Sequence, residues 1–144
     1  MTTTSPTQTV AAPTLNSDRP LENVKVLVVE DDEMIRDLVL TKLGKSGCTT
    51  FAAVDGAAVL PAAEEHQPDA IVLDLMLPTK TGEEVLAELK AHDTLRDVPV
   101  IVFSNKSADE EVKNVMDMGA ARFFIKAHTN LNDLVHDIKA LTGK

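Results

Sequence analysis

The chain has 144 residues, of which 44% are hydrophobic and 26% are charged, and these values are typical of a single soluble globular domain. Its formal net charge of −9 and the absence of a basic stripe argue against direct binding to nucleic acid, because displacing counterions from phosphates takes positive charge. The single cysteine, Cys48, excludes an internal disulfide and a multi-cysteine metal site.

The N-terminal 22 residues are rich in Thr, Ser, Pro and Ala, with too little apolar surface to offset the entropy of ordering. We therefore predict a flexible tail over residues 1–22 and one domain over residues 23–144. The first residues have neither the basic region nor the apolar core of a secretory signal. No apolar run approaches the roughly 20 residues of a membrane span. These features predict a cytoplasmic protein that does not contact a membrane.

The first half of the domain contains two strand candidates and two helical patterns. The strand candidates are Val24–Val29 and the weaker run Thr49–Val54. The second helical pattern covers Ala57–His66 and contains Pro61, so we expect this helix to start late or to kink there. The first helical pattern places four apolar residues on one side: Ile35, Leu38, Val39 and Leu43.

The second half contains three more strand candidates, each followed by a helical pattern. Two of these helices open with the spacing of a capping box, at Thr81–Glu84 and at Ser107–Glu110. The strand candidates are Ala70–Leu73, Val98–Phe103 and Phe123–Ile125. The apolar positions of the third and last helices are Val85, Leu86, Leu89, Leu131, Leu134, Val135, Ile138 and Leu141.

Strands and helices alternate strictly, and three of the strands are too uniformly apolar to have one exposed face. This pattern predicts an α/β fold, a doubly wound five-stranded parallel sheet with helices on both faces. The carboxyl ends of parallel strands meet at one edge of such a sheet, where ligands bind. The polar residues that follow the apolar runs at this edge are Glu30, Asp31, Asp32, Asp74, Ser104 and Lys126.

Such a group of residues suits phosphoryl chemistry. Carboxylates held close together repel one another unless a cation lies between them, and Mg²⁺ prefers oxygen ligands of this kind. Asp74 is the natural nucleophile, because a carboxylate can form an acyl phosphate without a separate base. Lys126 and Ser104 would contact the remaining oxygens of the phosphoryl group.

Each residue alone also has a structural explanation. The acidic residues after the first strand can cap the first helix, and we expect Asp32 to do so in any case. Ser104 alone fits a turn residue and Lys126 alone a solvated lysine. Asp74 is harder to explain in this way, since a strand favours an apolar residue between Leu73 and Leu75. Their joint placement at one edge favours a shared site.

Several segments at this edge resemble the receiver domains of bacterial two-component response regulators, of the stand-alone type found in chemotaxis regulators. The resemblance covers residues 24–142 and implies a flavodoxin-like receiver fold with strand order 2-1-3-4-5. The matching segments are Val28–Asp32, Val72–Pro78 with Gly82, Val102–Ser104, Gly119–Ala120 and Phe124–Lys126.

The resemblance implies that Asp74 accepts a phosphoryl group from a sensor histidine kinase or a histidine phosphotransfer protein. Glu30, Asp31 and Asp74 would hold Mg²⁺, together with the backbone carbonyl of Met76. The chain would not be an enzyme with a separate substrate, because it would catalyse only its own phosphorylation and dephosphorylation.

The resemblance also implies a conformational switch. On phosphorylation Ser104 would move toward the phosphoryl group, and Phe123 would turn inward behind it. This change would remodel the face formed by the fourth helix, fifth strand and fifth helix, which a downstream protein effector reads. Phe123 is equally well explained as an ordinary apolar strand residue.

Three residues depart from the family pattern. Ala127 follows Lys126 where the family usually has proline, often after a cis bond. A cis bond before a residue other than proline costs about 3 kcal/mol. We therefore predict a trans Lys126–Ala127 bond and a shift in the loop that carries Lys126. Asn105 is larger than the residue usual after Ser104, which predicts narrower access to Asp74. Lys106 lies where the family varies in dephosphorylation rate, and the direction of its effect stays open.

Three functions are consistent with these residues. The leading hypothesis is a stand-alone response regulator, because only Gly143 and Lys144 follow the last helix. A second is a pseudo-receiver scaffold that acts independently of phosphate, against which the intact set of Asp74, Ser104 and Lys126 speaks. A third is a Mg²⁺-dependent phosphohydrolase, disfavoured because no general acid or substrate pocket is evident.

Overall fold

The fold is described by a computed structural model, which covers residues 19–144. Within these residues, five parallel strands form one sheet in the order β2-β1-β3-β4-β5. The predicted order is therefore confirmed. The strands are β1 (Lys25–Val29), β2 (Thr49–Ala53), β3 (Ala70–Leu73), β4 (Val100–Ser104) and β5 (Arg122–Ile125).

Five α-helices alternate with these strands in the part of the chain described. Short 3-10 turns, Gly56–Ala58 and Lys126–His128, precede the second and the last helix. No helix between residues 19 and 144 is both long enough and apolar enough to cross a bilayer. The helices are α1 (Glu33–Lys45), α2 (Val59–His66), α3 (Gly82–Ala91), α4 (Asp109–Asp117) and α5 (Leu131–Thr142).

Hydrophobic clusters cover both faces of the sheet, which confirms the doubly wound arrangement. Successive strand residues point to opposite faces, so Val26 and Val28 join the cluster beneath α1 and α5. Leu27 and Val29 join the cluster beneath α2, α3 and α4. Because both faces are packed, the strand ends are the places where polar side chains can gather.

The position of Pro61 agrees with the expectation from the sequence. Helix α2 begins at Val59, two residues later than the start of the pattern, and Pro61 lies in its first turn. Proline is tolerated there because the first amide groups of a helix have no partner within the helix. The preceding residues form the 3-10 turn instead.

Helix α1 buries a narrower face than the sequence pattern indicates. Val39 and Leu43, four residues apart, are buried against the sheet. The prediction was wrong for Leu38, which is 58% exposed because it points about 100° away from Val39 around the helix. Met34 lies one turn before Leu38 and is 75% exposed, so two large apolar side chains share an exposed face.

One of the two predicted capping boxes is present. The Thr81 hydroxyl accepts from the Glu84 amide at 3.2 Å, and the Glu84 carboxylate accepts from the Thr81 amide at 2.9 Å. The prediction for Ser107 was wrong: α4 has Ala108 as its N-cap and no side-chain cap. The helix begins one residue later than the spacing suggests, so Glu111 takes the third helical position and pairs with Lys106.

Because Thr81 caps its helix and Ser107 does not, we expect their substitutions to have unequal effects on the free energy of unfolding. We expect Thr81→Ala to lower the free energy of unfolding by about 1 kcal/mol, because it removes the side-chain acceptor at the start of α3. The matched change Ser107→Ala should lower it by less than about 0.5 kcal/mol. Urea unfolding of the two variants and the wild type measures both values. Equal losses would contradict the assignment of the caps.

Most of the predicted tail, residues 1–18, lies outside the described residues. Leu21, inside the predicted tail, is fully buried in the cluster beneath α1 and α5. Its amide also donates to the Ser46 carbonyl at 2.8 Å. The packed domain therefore begins before residue 23, because Leu21 in the polar N-terminal segment is part of the hydrophobic core.

Candidate functional site

The candidate site lies at the carboxyl edge of the sheet, where β1, β3, β4 and β5 end. Val29 and Leu73 are register partners on adjacent strands, so Glu30 and Asp74 follow them side by side. Ser104 is the last residue of β4, and Lys126 follows β5. Alternating βα topology thus brings together residues that are far apart in the sequence.

Three carboxylates form the acidic part of the site. Glu30, Asp31 and Asp74 each offer one oxygen atom, and these atoms lie within 4.8 Å of one another. Glu30 and Asp74 are buried, whereas Asp31 is exposed. The cluster therefore has a solvent-facing side at Asp31 and a protein-facing side at the two buried groups.

Lys126 neutralises part of this charge. Its Nζ lies 2.6 Å from Glu30 Oε1 and 2.8 Å from Asp74 Oδ2, and its side chain is only 10% exposed. Burial by itself would lower the pKa of Lys126, but the hydrogen bonds to Asp74 and Glu30 outweigh it and raise the pKa. The ammonium group is therefore charged and held at Asp74.

Backbone amides and an arginine hold the acidic loop in place. The Asp32 amide donates to Glu30 Oε2 at 3.1 Å, and the Asp32 carboxylate caps α1 as predicted, accepting from the Ile35 amide at 3.1 Å. Arg36 Nη1 donates to the carbonyls of Glu30 and Asp31 at 3.1 and 3.4 Å. These hydrogen bonds therefore hold the backbone of Glu30 and Asp31, the two candidate metal ligands after β1.

The loop after β3 folds tightly over Asp74. The Met76 amide donates to Asp74 Oδ1 at 3.2 Å, and the Gly82 amide donates to the Leu75 carbonyl at 2.9 Å. A Cβ at Gly82 would lie 2.4 Å from the Asp74 carbonyl oxygen, closer than any side chain permits. Only glycine fits there, so α3 can start close against the acidic cluster.

Burial of Glu30 makes the stability of the protein depend on pH. Desolvation raises the pKa of Glu30 above its ordinary value of 4.5, although the hydrogen bonds from Lys126 and Asp32 oppose this. The folded state therefore binds more protons than the unfolded state between pH 4.5 and the raised pKa. We expect stability to fall as pH rises through this window in the metal-free protein.

Glu30→Gln should remove this contribution. Urea unfolding in a chelator from pH 4.5 to 7 should show a smaller fall in stability with rising pH in Glu30→Gln than in the wild type. The comparison between the two proteins cancels the titration of carboxyl groups that do not interact with Glu30. Parallel curves would contradict a raised pKa at Glu30.

The two predicted switch residues, Ser104 and Phe123, have partners outside the group of three carboxylates. Ser104 is fully buried, and its hydroxyl accepts from the Lys106 amide at 3.2 Å. The Lys106 side chain bridges Glu83 and Glu111 at 3.1 and 3.3 Å. Phe123 is half-buried and packs against the cluster beneath α2, α3 and α4.

The departures at residues 105 and 127 form a contact that sequence reasoning missed. Between residues 19 and 144 every peptide bond is trans, which confirms the prediction for the Lys126–Ala127 bond. Asn105 Oδ1 accepts from the Ala127 amide at 3.0 Å, so this side-chain oxygen is turned toward Ala127. Proline has no amide hydrogen and could not make this bond. The signal in the sequence was therefore the presence of Asn105 together with a residue other than proline at position 127.

The donor set fits a hard divalent cation. Lys126 pairs with Glu30 and Asp74, and among the described residues it is the one cation paired with this cluster of three carboxylates, so the cluster retains an excess of negative charge. Carboxylate oxygens are the ligands that Mg²⁺ takes in phosphoryl-transfer sites. Asp31 is exposed, so the cluster is open to solvent on that side.

Comparisons with known proteins agree with this geometry. The response regulator receiver domain family matches residues 26–139. The chain is 38% identical over 124 residues to the transcriptional regulatory protein PrrA of Mycobacterium tuberculosis, covering 86% of this chain and 52% of PrrA. The chain therefore spans about half the length of the PrrA proteins it matches.

A shorter relative and a solved structure match over most of their length. The polar-differentiation response regulator DivK of Brucella anthropi is 32% identical over 121 residues, which cover 82% of this chain and 95% of DivK. The Mn²⁺-bound form of response regulator Rcp1 is 29% identical, with a TM-score of 0.69, covering 82% of this chain and 91% of that one.

Proposed function

The chain belongs to the response regulator receiver domain family, and on that premise we propose that it is a signalling module whose Asp74 accepts a phosphoryl group. The observation that supports this proposal best is the contact of Lys126, which follows β5, with Asp74 and Glu30, which follow the adjacent strands β3 and β1. Such a site brings together a nucleophilic carboxylate, the ammonium group of a lysine and further carboxylates that can bind a metal ion.

The proposed reaction takes the phosphoryl group from a phosphohistidine of a sensor histidine kinase or a histidine phosphotransfer protein. A carboxylate oxygen of Asp74 attacks phosphorus, an O–P bond forms and the N–P bond breaks. The imidazole leaves with the electron pair and then takes up a proton. Lys126, already beside Asp74, stabilises the charge on the phosphoryl oxygens.

Magnesium is the cofactor we propose for this site. Glu30, Asp31 and Asp74, with the backbone carbonyl of Met76, would hold the ion. The response regulator Rcp1 has a Mn²⁺-bound form, which supports a divalent cation as cofactor. When bound, Mg²⁺ supplies positive charge that offsets the negative charge of the phosphate oxygens.

The phosphorylated state would be read through Ser104 and Phe123. The Ser104 hydroxyl now accepts from the Lys106 amide, and it would exchange this partner for the phosphoryl group. Phe123 would turn inward behind it, changing the face of α4, β5 and α5. A downstream protein effector would bind this face. Since both the proposed kinase and this effector would act in the cytoplasm, we place the protein there as well.

The phosphodonor would dock on an apolar surface beside the site. Met34, Leu38 and Met76 are 75%, 58% and 61% exposed, which is unusual for large apolar side chains. A groove of about 530 Å³ includes Met34, Leu38 and Leu131 in its lining. A second groove of about 180 Å³ shares Leu38 and Leu131 and reaches Lys126, so this surface is continuous with the acidic cluster.

One experiment separates this function from its alternatives. We would incubate the wild type and Asp74→Asn with a small acyl phosphate and Mg²⁺ and follow intact mass and free phosphate. A receiver gains one alkali-labile phosphate that Asp74→Asn does not gain, and it acts on no separate substrate. A pseudo-receiver scaffold gains none. A phosphohydrolase releases phosphate over many turnovers without a stable adduct, and either of these outcomes would contradict the proposal.

A further inference from the structure

The turn that carries Lys126 lacks the cap that its start normally requires. The 3-10 turn Lys126–His128 follows Ile125, whose side chain has no hydrogen-bond acceptor. The first amides of a helical turn have no partner inside the turn and need an acceptor from elsewhere. Asn105 Oδ1 supplies one for Ala127, at 3.0 Å.

This bond connects the ends of two neighbouring strands. Ser104 and Ile125 are register partners at the end of β4 and β5, so Asn105 and Lys126 follow them side by side. Thr129 Oγ1 donates to the Ile125 carbonyl at 2.6 Å, which fixes the other end of the same turn. The turn is therefore held at two points, one of which is a residue directly after Ser104.

We infer that Asn105 is a positioning residue for phosphoryl acceptance: by capping the turn at Ala127, it holds the preceding Lys126 at Asp74. This inference rests on the proposed function. Lys126 reaches Asp74 and Glu30 from the first residue of the turn, so rotation of the turn displaces its Nζ. The bond requires an amide hydrogen at position 127, which alanine has and proline lacks.

Substitution of Asn105 tests the inference with two readouts. Asn105→Ala removes the acceptor, so amide hydrogen exchange at Ala127, followed by NMR in the metal-free protein, should become about fivefold faster. The initial rate of phosphate uptake from a small acyl phosphate with Mg²⁺ should fall about fivefold. Asn105→Asp keeps an oxygen at the same position and should restore the slow exchange.

Two further comparisons show whether Asn105 acts through Lys126. In a Lys126→Met background, Asn105→Ala should lower the uptake rate no further, because the group that it positions is absent. Ser107→Ala, in the same loop and without a side-chain hydrogen bond among the described residues, should change neither readout.

The outcomes of these experiments are distinct. Unchanged exchange at Ala127 in Asn105→Ala, or an equal loss of rate with and without Lys126, would overturn the inference. If the wild type takes up no phosphate, the proposed function fails. The exchange comparison would still decide whether Asn105 caps the turn.

Discussion

Replacing Lys126 with methionine is expected to lower the rate of phosphate uptake from a small acyl phosphate by about 100-fold. Lys126 Nζ lies 2.8 Å from the Asp74 carboxylate and is almost buried, so it can contact a phosphoryl group there without reorganisation. Removing one such preorganised donor from a site that excludes water typically slows a reaction by about 100-fold or more. Methionine keeps much of the apolar stem of the lysine side chain and loses the ammonium group, which also lies 6.0 Å from the centroid of the Phe103 ring.

Lys106 provides the matched control for this change. It is also a lysine beside the site, but its ammonium pairs with Glu83 and Glu111 and not with Asp74. Uptake rates of Lys126→Met and Lys106→Met, measured by intact mass at saturating Mg²⁺, should therefore differ by more than about tenfold. Equal rates would mean that proximity to Asp74 is not what gives Lys126 its role.

Asp31→Asn should weaken Mg²⁺ binding by about tenfold or more, because it removes one of three negative charges from the cluster. Asp31 is the most informative of the three carboxylates since it is exposed, and its substitution leaves the buried pair of Glu30 and Lys126 in place. Calorimetric titration with Mg²⁺ measures the affinity. Phosphate uptake at low Mg²⁺ should fall in parallel, and a chelator should stop uptake in the wild type.

An exposed acidic residue outside the cluster controls for general electrostatics. Asp37 lies on α1 at the edge of the apolar groove, and among residues 19–144 it belongs to no group of three or more metal-binding side chains close enough to share an ion. Asp37→Asn should bind Mg²⁺ as the wild type does. The assignment of Asp31 as a ligand would be contradicted if the two variants had the same affinity, or if Asp31→Asn bound as tightly as the wild type.

Much of the fold and of the site could be predicted because both depend on simple repeating patterns. Strands covered on both faces read as uniform apolar runs, so Ala70–Leu73 was placed with the correct ends. Polar residues directly after such runs must lie at one edge in a parallel sheet. The sequence therefore predicts that Glu30, Asp31, Asp74 and Lys126 lie together, and in the structure these four side chains are close to one another.

What could not be predicted depends on atomic detail that residue spacing does not contain. Ser107 has the right spacing for a cap, but the backbone leaves the helical conformation at Ala108. Leu38 fits an apolar helix face, yet it points about 100° away from Val39 around the helix and is exposed. The bond between Asn105 and Ala127 joins residues 22 positions apart, and only the register of β4 and β5 brings them together.

The chemical location of the phosphate tests the assignment of Asp74 as phosphoacceptor most directly. Hydride reduction of an aspartyl phosphate converts that residue to homoserine, which peptide mapping by mass spectrometry can assign to one position. After treatment with an acyl phosphate and Mg²⁺, we expect reduction at Asp74 and at no other carboxylate. Reduction at Glu30 or Asp31, or phosphate on a histidine, would contradict the claim that these side chains converge to make Asp74 the phosphoacceptor.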